Sequence, residues 1–185
     1  MSAKLRDRRS AVAWSAFVAF AACVPIANWL VENVGTKCVP NGPCLIPVGP
    51  GLEAPSGVLM IGLALVLRDV VHRYLGVGWS IGAIAIGGAL SLATAEPSLA
   101  VASTIAFVVA ELFDLAVFVP LLKKGFVTAI VASSAVGAVV DGALFLSIAF
   151  GDLSFLLGQT VGKGLMVLAA IPVVKAIQSW DHQAP

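Results

Sequence analysis

Charge is scarce in this sequence. Lys, Arg, Asp and Glu make up 11% of its 185 residues, where a soluble domain carries about 25%. With 59% hydrophobic residues and a mean hydropathy of +1.02, that shortage excludes an ordinary soluble domain. An all-α integral membrane protein is expected, with residues 1–185 forming a single domain. The net charge of +1 implies no nucleic-acid partner. Two His and three scattered Cys argue against a metal centre. No nucleophile stands with a base and no phosphate loop occurs, so neither a cofactor nor catalysis is expected.

Long apolar runs are what the chain does have. Cutting it at turn signals leaves six segments, roughly 11–33, 55–75, 77–95, 97–120, 126–150 and 153–177. Each is about 20 residues long, enough to cross the bilayer hydrocarbon as a helix. Pro97 suits a helix start, and Gly125 and Gly151 suit helix ends. The long connection, 34–54, is rich in Pro and Gly and reads as an irregular external loop. Pro55 and Gly57 make either a late-starting second helix or an ordinary one with Pro55 in its first turn.

Cytoplasmic flanks are enriched in Lys and Arg. Lys4, Arg6, Arg8, Arg9, Arg68, Arg73, Lys123, Lys124 and Lys175 all fall on one side of a six-span arrangement, and Lys37 on the other. A bundle of six transmembrane helices with both termini cytoplasmic follows. The first span is not read as a cleaved signal peptide, because its apolar run is long and its removal would spoil the charge parity. Cys38 and Cys44 flank a short stretch of the external loop. They are either a disulfide pinning that loop in an oxidising compartment or two free thiols.

Small residues recur every fourth position in the first span, at Ala11, Ser15, Ala19, Cys23 and Ala27. Such a ridge allows close helix approach, within the bundle, to another subunit or in a homodimer. Gly158 and Gly162 make a second such pair. A three-plus-three inverted repeat suits the topology, but the halves show no clear self-similarity.

Against this apolar background the buried polar residues stand out. Glu111, Asp114, Asp141, Gln159 and Lys163 lie inside spans, and intramembrane ionisable residues usually face a cavity or a partner. Glu111 and Asp114 are three apart and share a helix face, with Phe107 and Phe118 a turn away on either side. The pair could accept hydrogen bonds from a ligand, bind a cation or carry protons, or be neutralised by Lys163 or Arg68. Ser134, Gly137 and Asp141 share another face, with Phe145 one turn on. Gln159 and Lys163 share a third. Lys163 needs a carboxylate partner, which Asp141 or Glu111 could supply. Arg68 is expected to snorkel to the interface, and Asp69 to pair with Arg73 four residues on. His72 lies near the interface and is not read as a proton relay.

In order along the chain, Pro55-Ser56-Gly57, Arg68-Asp69, Tyr74-Leu75-Gly76, Glu111-Leu112-Phe113-Asp114, Ser134-x-x-Gly137-x-x-x-Asp141-x-x-x-Phe145, Ala149-Phe150 and Gln159-x-x-x-Lys163 resemble the VUT family of queuosine-precursor transporters. The resemblance covers most of the chain from Pro55 onward. It departs at His72-Arg73, where many members carry an acidic residue. It implies six transmembrane helices and uptake of the 7-deazaguanine bases preQ0 and preQ1 across the bacterial inner membrane.

The chemistry fits such a base. One carboxylate, Asp141 or Glu111, could accept the adjacent N–H and NH2 groups of a guanine-like edge. Gln159 could bond its carbonyl, and Phe107 or Phe145 could stack on its ring. On this reading Glu111, Asp114, Ser134, Asp141, Gln159, Lys163, Phe107 and Phe145 bind substrate, and Arg68 and Asp69 belong to a gating or charge network. Protons are a candidate coupling ion. The alternative is a substrate-binding subunit of an energy-coupling-factor vitamin transporter, docked to its partner through the ridge from Ala11 to Ala27.

Overall fold

The computed structural model describes residues 3–40 and 42–182. Six α-helices form a bundle: α1 Ala3–Asn33, α2 Val58–Leu75, α3 Val77–Thr94, α4 Ala100–Leu121, α5 Phe126–Ala149 and α6 Leu156–His182. A single 3-10 turn, Leu122–Lys124, follows α4. The later connections are short, and glycines reverse the chain in three of them, at Gly76, Gly125 and Gly151. Gly76 (φ 86°) joins α2 to α3, and Gly125 (φ 123°) precedes α5; positive φ is the conformation glycine adopts most readily.

Five helices, α1, α3, α4, α5 and α6, are long and apolar enough to cross a membrane, so the protein is a multi-pass membrane protein. The sixth expected span, α2, falls short of that description because Arg68, Asp69 and Arg73 lie within its 18 residues. Packing accounts for its polarity. It is enclosed by α1, α3, α5 and α6, and Arg68 and Asp69 are buried. The outward faces of the other helices are apolar, with Val18, Ile86, Val101, Leu157 and Leu168 all exposed.

The expected irregular loop is instead a small antiparallel sheet: β1 Lys37–Cys38, β2 Cys44–Gly49 and β3 Leu52–Pro55, in the order β1-β2-β3. Cys38 pairs with Cys44 in register and the two are joined as a disulfide. Gly51 (φ 69°) turns β2 into β3. Pro55 therefore ends a strand rather than opening a helix, and α2 starts late, at Val58. Ala54, Val48 and Val58 form a small core that fastens the sheet to the bundle.

Close backbone contacts set the spacing of the bundle. Trp14 on α1 and Trp79 on α3 meet edge to face at 4.9 Å. At the opposite end of the same two helices Asn28 Nδ2 donates to Thr94 Oγ1 at 2.8 Å. α2 crosses α6 at Gly62, where a Cβ would stand 2.5 Å from the Lys163 carbonyl oxygen. The pair Gly158 and Gly162 is used inside the molecule, against Glu53 of β3 and against Val58 with Val48.

Gly62 thus decides where Lys163 sits. Gly62→Ala should cost about 1–3 kcal/mol as an overpacking change, seen as a lower midpoint of thermal unfolding in detergent. Gly78→Ala, where a Cβ meets nothing within 4 Å, should leave the midpoint unchanged or raise it.

A candidate binding cavity above a buried charge cluster

The ends of the helices on the β-sheet side do not close over one another. They leave a small, partly open cavity of about 70 Å³, below the usual ~300–1,000 Å³ of small-molecule sites, so a base-sized ligand would need its lining side chains to move apart. α1 contributes Val24 and Asn28, the start of α2 Val58 and Ile61, and α4 Ser103 and Phe107. Asp141 and Phe145 come from α5, and Gln159 and Lys163 from α6. Glu32 and Glu96 stand at its exposed rim. Gly87 on α3 makes room for the Phe107 ring, since a Cβ there would lie 2.6 Å from it.

Polar groups converge on the cavity floor. Lys163 Nζ pairs with Asp141 Oδ2 at 2.6 Å and donates to Gln159 Oε1 at 2.9 Å and to the Ala138 carbonyl at 3.4 Å. Asp141 is therefore the partner of Lys163. Its side chain is 12% exposed, against 1% for Lys163. Each carboxylate oxygen accepts two hydrogen bonds, so Asp141 keeps acceptor sites after serving Lys163. Gln159 lends its carbonyl to Lys163, which turns its NH2 group into the part able to donate elsewhere.

Glu111, Asp114 and Ser134 are buried but do not line this cavity. They lie one to two turns further from its mouth, in a second polar layer built on Arg68. Its Nη1 meets Asp69 Oδ1 at 2.7 Å, its Nε meets Glu111 Oε2 at 3.0 Å, and its Nη2 pairs with Asp114 Oδ1. Ser133 donates to Asp69 Oδ2 at 3.3 Å. The four charged side chains are 0–1% exposed. Phe118 lies 5.7 Å below the guanidinium carbon, and Val71, Phe118 and Ile130 fill the space beyond.

Two expectations for α2 are overturned. Arg68 does not snorkel to the interface; three carboxylates on two helices hold it inward. Asp69 takes Arg68, its neighbour in sequence, as its partner. Arg73 instead lies 4.5 Å over the Phe126 ring. Of Glu111 and Asp141, the candidate partners of Lys163, Glu111 is taken by Arg68.

Ser133, Ser103, Asn28 and the two rim glutamates are polar groups of these layers without a role in the sequence reading. Ser133 carried a signal, standing four residues from Gly137 on the inward side of α5. The others sit at span ends, where polar residues are common.

Arg68→Met removes the cation and leaves three carboxylates in a dry site. Breaking a buried ion pair from one side costs about 3–5 kcal/mol, so a marked drop in thermal stability in detergent is expected. Adding Glu111→Gln and Asp114→Asn to Arg68→Met should recover part of that loss, because neutral amides cost less to bury than orphaned carboxylates.

Residues 91–177 match a family model described as "Putative vitamin uptake transporter". No curated protein and no solved structure matches the chain. The matched stretch is just under half of the chain and runs from the end of α3 into α6. It carries Phe107, Glu111, Asp114, Asp141, Phe145, Gln159 and Lys163, so the polar floor of the cavity and two of the four charged members of the Arg68 cluster lie in the part that is similar to a transporter family.

Proposed function

We propose that the protein takes up 7-deazaguanine bases, the queuosine precursors preQ0 and preQ1, across the bacterial inner membrane, with both termini cytoplasmic. The observation that carries this reading is the placement of Asp141. Among the buried carboxylates of the described residues it alone lines the cavity, which Gln159, Phe107 and Phe145 also line. Its free acceptor sites suit the adjacent N–H and NH2 of a guanine-like edge. The Gln159 NH2 suits the carbonyl beside them, and Phe107 and Phe145 supply faces for the ring. The sequence resemblance and the family match support the same class of protein.

The basic residues support the orientation. Arg8, Arg9, Arg73, Lys123, Lys124 and Lys175 lie toward one end of the bundle, and Lys37 with the cavity mouth toward the other. The cavity then faces outward and the Arg68 cluster closes the inner side. Glu32 and Glu96 at the rim make it negative, which favours the aminomethyl cation preQ1 over neutral preQ0.

A second reading has one observation in its favour. Part of the small-residue ridge, Ala11, Ser15 and Ala19, is not used inside the molecule; it lines an apolar groove between α1 and α6 with Val66, Ala170 and Val173. A substrate-binding subunit of an energy-coupling-factor transporter would place a partner helix there.

Liposomes containing only this protein test the two. Saturable uptake of labelled preQ1, stronger than that of preQ0, is expected. Asp141→Asn should abolish uptake and also lower thermal stability, because it leaves the buried Lys163 without its carboxylate; normal uptake by that variant would remove Asp141 from the site. Base binding without uptake would favour the subunit reading, to be checked by co-purification with a membrane partner.

A further inference from the structure

The Arg68 cluster does not balance. One guanidinium faces Asp69, Glu111 and Asp114, and all four side chains are 0–1% exposed. The surrounding helices do not make up the difference. Asp141 of α5 is paired with Lys163 of α6. Cys23 of α1 lies within electrostatic range of Glu111 and adds no positive charge. α3 has no titratable side chain. On α2, His72 packs edge-on against Phe118 with Nδ1 buried and unpartnered, and Arg73 lies a turn further on, over Phe126.

With every carboxylate ionised, two negative charges would stand uncompensated in a site sealed from bulk solvent. Buried groups in that position neutralise instead. The hydrogen bonds point the same way. Glu111 Oε1 and Asp114 Oδ2 are buried acceptors with no donor. The Ser134 hydroxyl is 1% exposed and also unpartnered. It stands one turn from Gly137, on the face of α5 that meets Asp114 at 3.1 Å from where a Cβ would be. A proton on either carboxyl turns an orphaned acceptor into a donor.

We propose that this cluster is a proton-binding site that couples transport to the proton gradient, holding two protons while closed and exchanging one in each cycle through Glu111. Glu111 is the point of exchange because it lies one turn from Phe107, which lines the cavity. The proton comes from water on the cavity side, forms an O–H bond to Glu111, and returns to water at the opposite end when the cluster opens. Glu111 stands one turn along α4 from Phe107, so a change of charge and packing in the lower layer reaches the wall of the cavity. The coupling rests on the transport reading above; the proton site does not.

Two measurements separate these. Infrared spectra of the wild-type protein in bilayers near neutral pH should contain the carbonyl band of protonated carboxylic acids, shifting in D2O. The band should weaken in Glu111→Gln and in Asp114→Asn. Absence of the band in the wild type overturns the site, and that result needs no variant to fold. In liposomes, an inward acid gradient should speed preQ1 uptake several-fold, and Glu111→Gln should lose that acceleration while still binding the base. Wild-type uptake indifferent to the gradient overturns the coupling. If the protein neither binds nor carries the base, the function reading and the coupling fall together, and the band alone decides the proton site.

Discussion

A guanidinium with no access to water must find its counter-charges inside the protein, and the rest of this bundle is arranged around that requirement. Arg68 draws Asp69 from its own helix and Glu111 and Asp114 from α4. Ser133 of α5 then bonds Asp69, which brings a third helix to the same point. Each group alone would be costly at bilayer depth. Together they are tolerable only in one relative placement of α2, α4 and α5. The α2 helix can therefore carry three charged residues in 18 and still occupy the interior, because its neighbours rather than lipid satisfy them.

The upper layer follows the same rule with a different outcome. Lys163 is as deeply buried as Arg68, yet its carboxylate partner keeps part of its surface open to the cavity. The difference comes from small residues. Gly62 lets the α6 backbone come close at Lys163, and Gly142 leaves space beside the Gln159 side chain, whose Oε1 would lie 3.4 Å from a Cβ there. Where the lower layer has large side chains beyond it, the upper layer has the open ends of the helices. One set of charges is thus sealed and the other is available to a ligand.

Helix lengths were legible in the sequence because apolar runs and Gly or Pro breaks act locally. The spans expected at 126–150 and 77–95 differ from α5 and α3 by a single residue. The sheet between Lys37 and Pro55 was not legible: its strands are two to six residues long and Pro47 lies within one, so turn signals dominated. The shared faces of Glu111 with Asp114 and of Gln159 with Lys163 were readable from helical spacing. Which face meets which was not, because partner choice depends on how helices are rotated in the bundle. Arg68 was misplaced for that reason. It stands seven residues from the end of α2, a position from which an arginine can reach the interface or turn inward, and only the position of α4 decides between them.

The two layers also explain why a binding subunit and a standalone carrier are hard to tell apart from the cavity alone. Binding needs only the upper layer, and that layer would look the same in either protein. A carrier must in addition open toward the opposite end, and the path there runs through Arg68 and its carboxylates. Separating a dehydrated ion pair is prohibitive if the charges stay dry. Water entering from the far side would repay much of the loss, because the desolvation cost of a buried pair is of the same order as its Coulomb gain. Such a cluster is firm while dry and weak once wetted, which is what a gate requires. The Val71, Phe118 and Ile130 side chains beyond it lack that property, since water only strengthens their tendency to stay closed. On the proposed function, movement would therefore need both water at Arg68 and displacement of those apolar side chains, whereas binding would need neither.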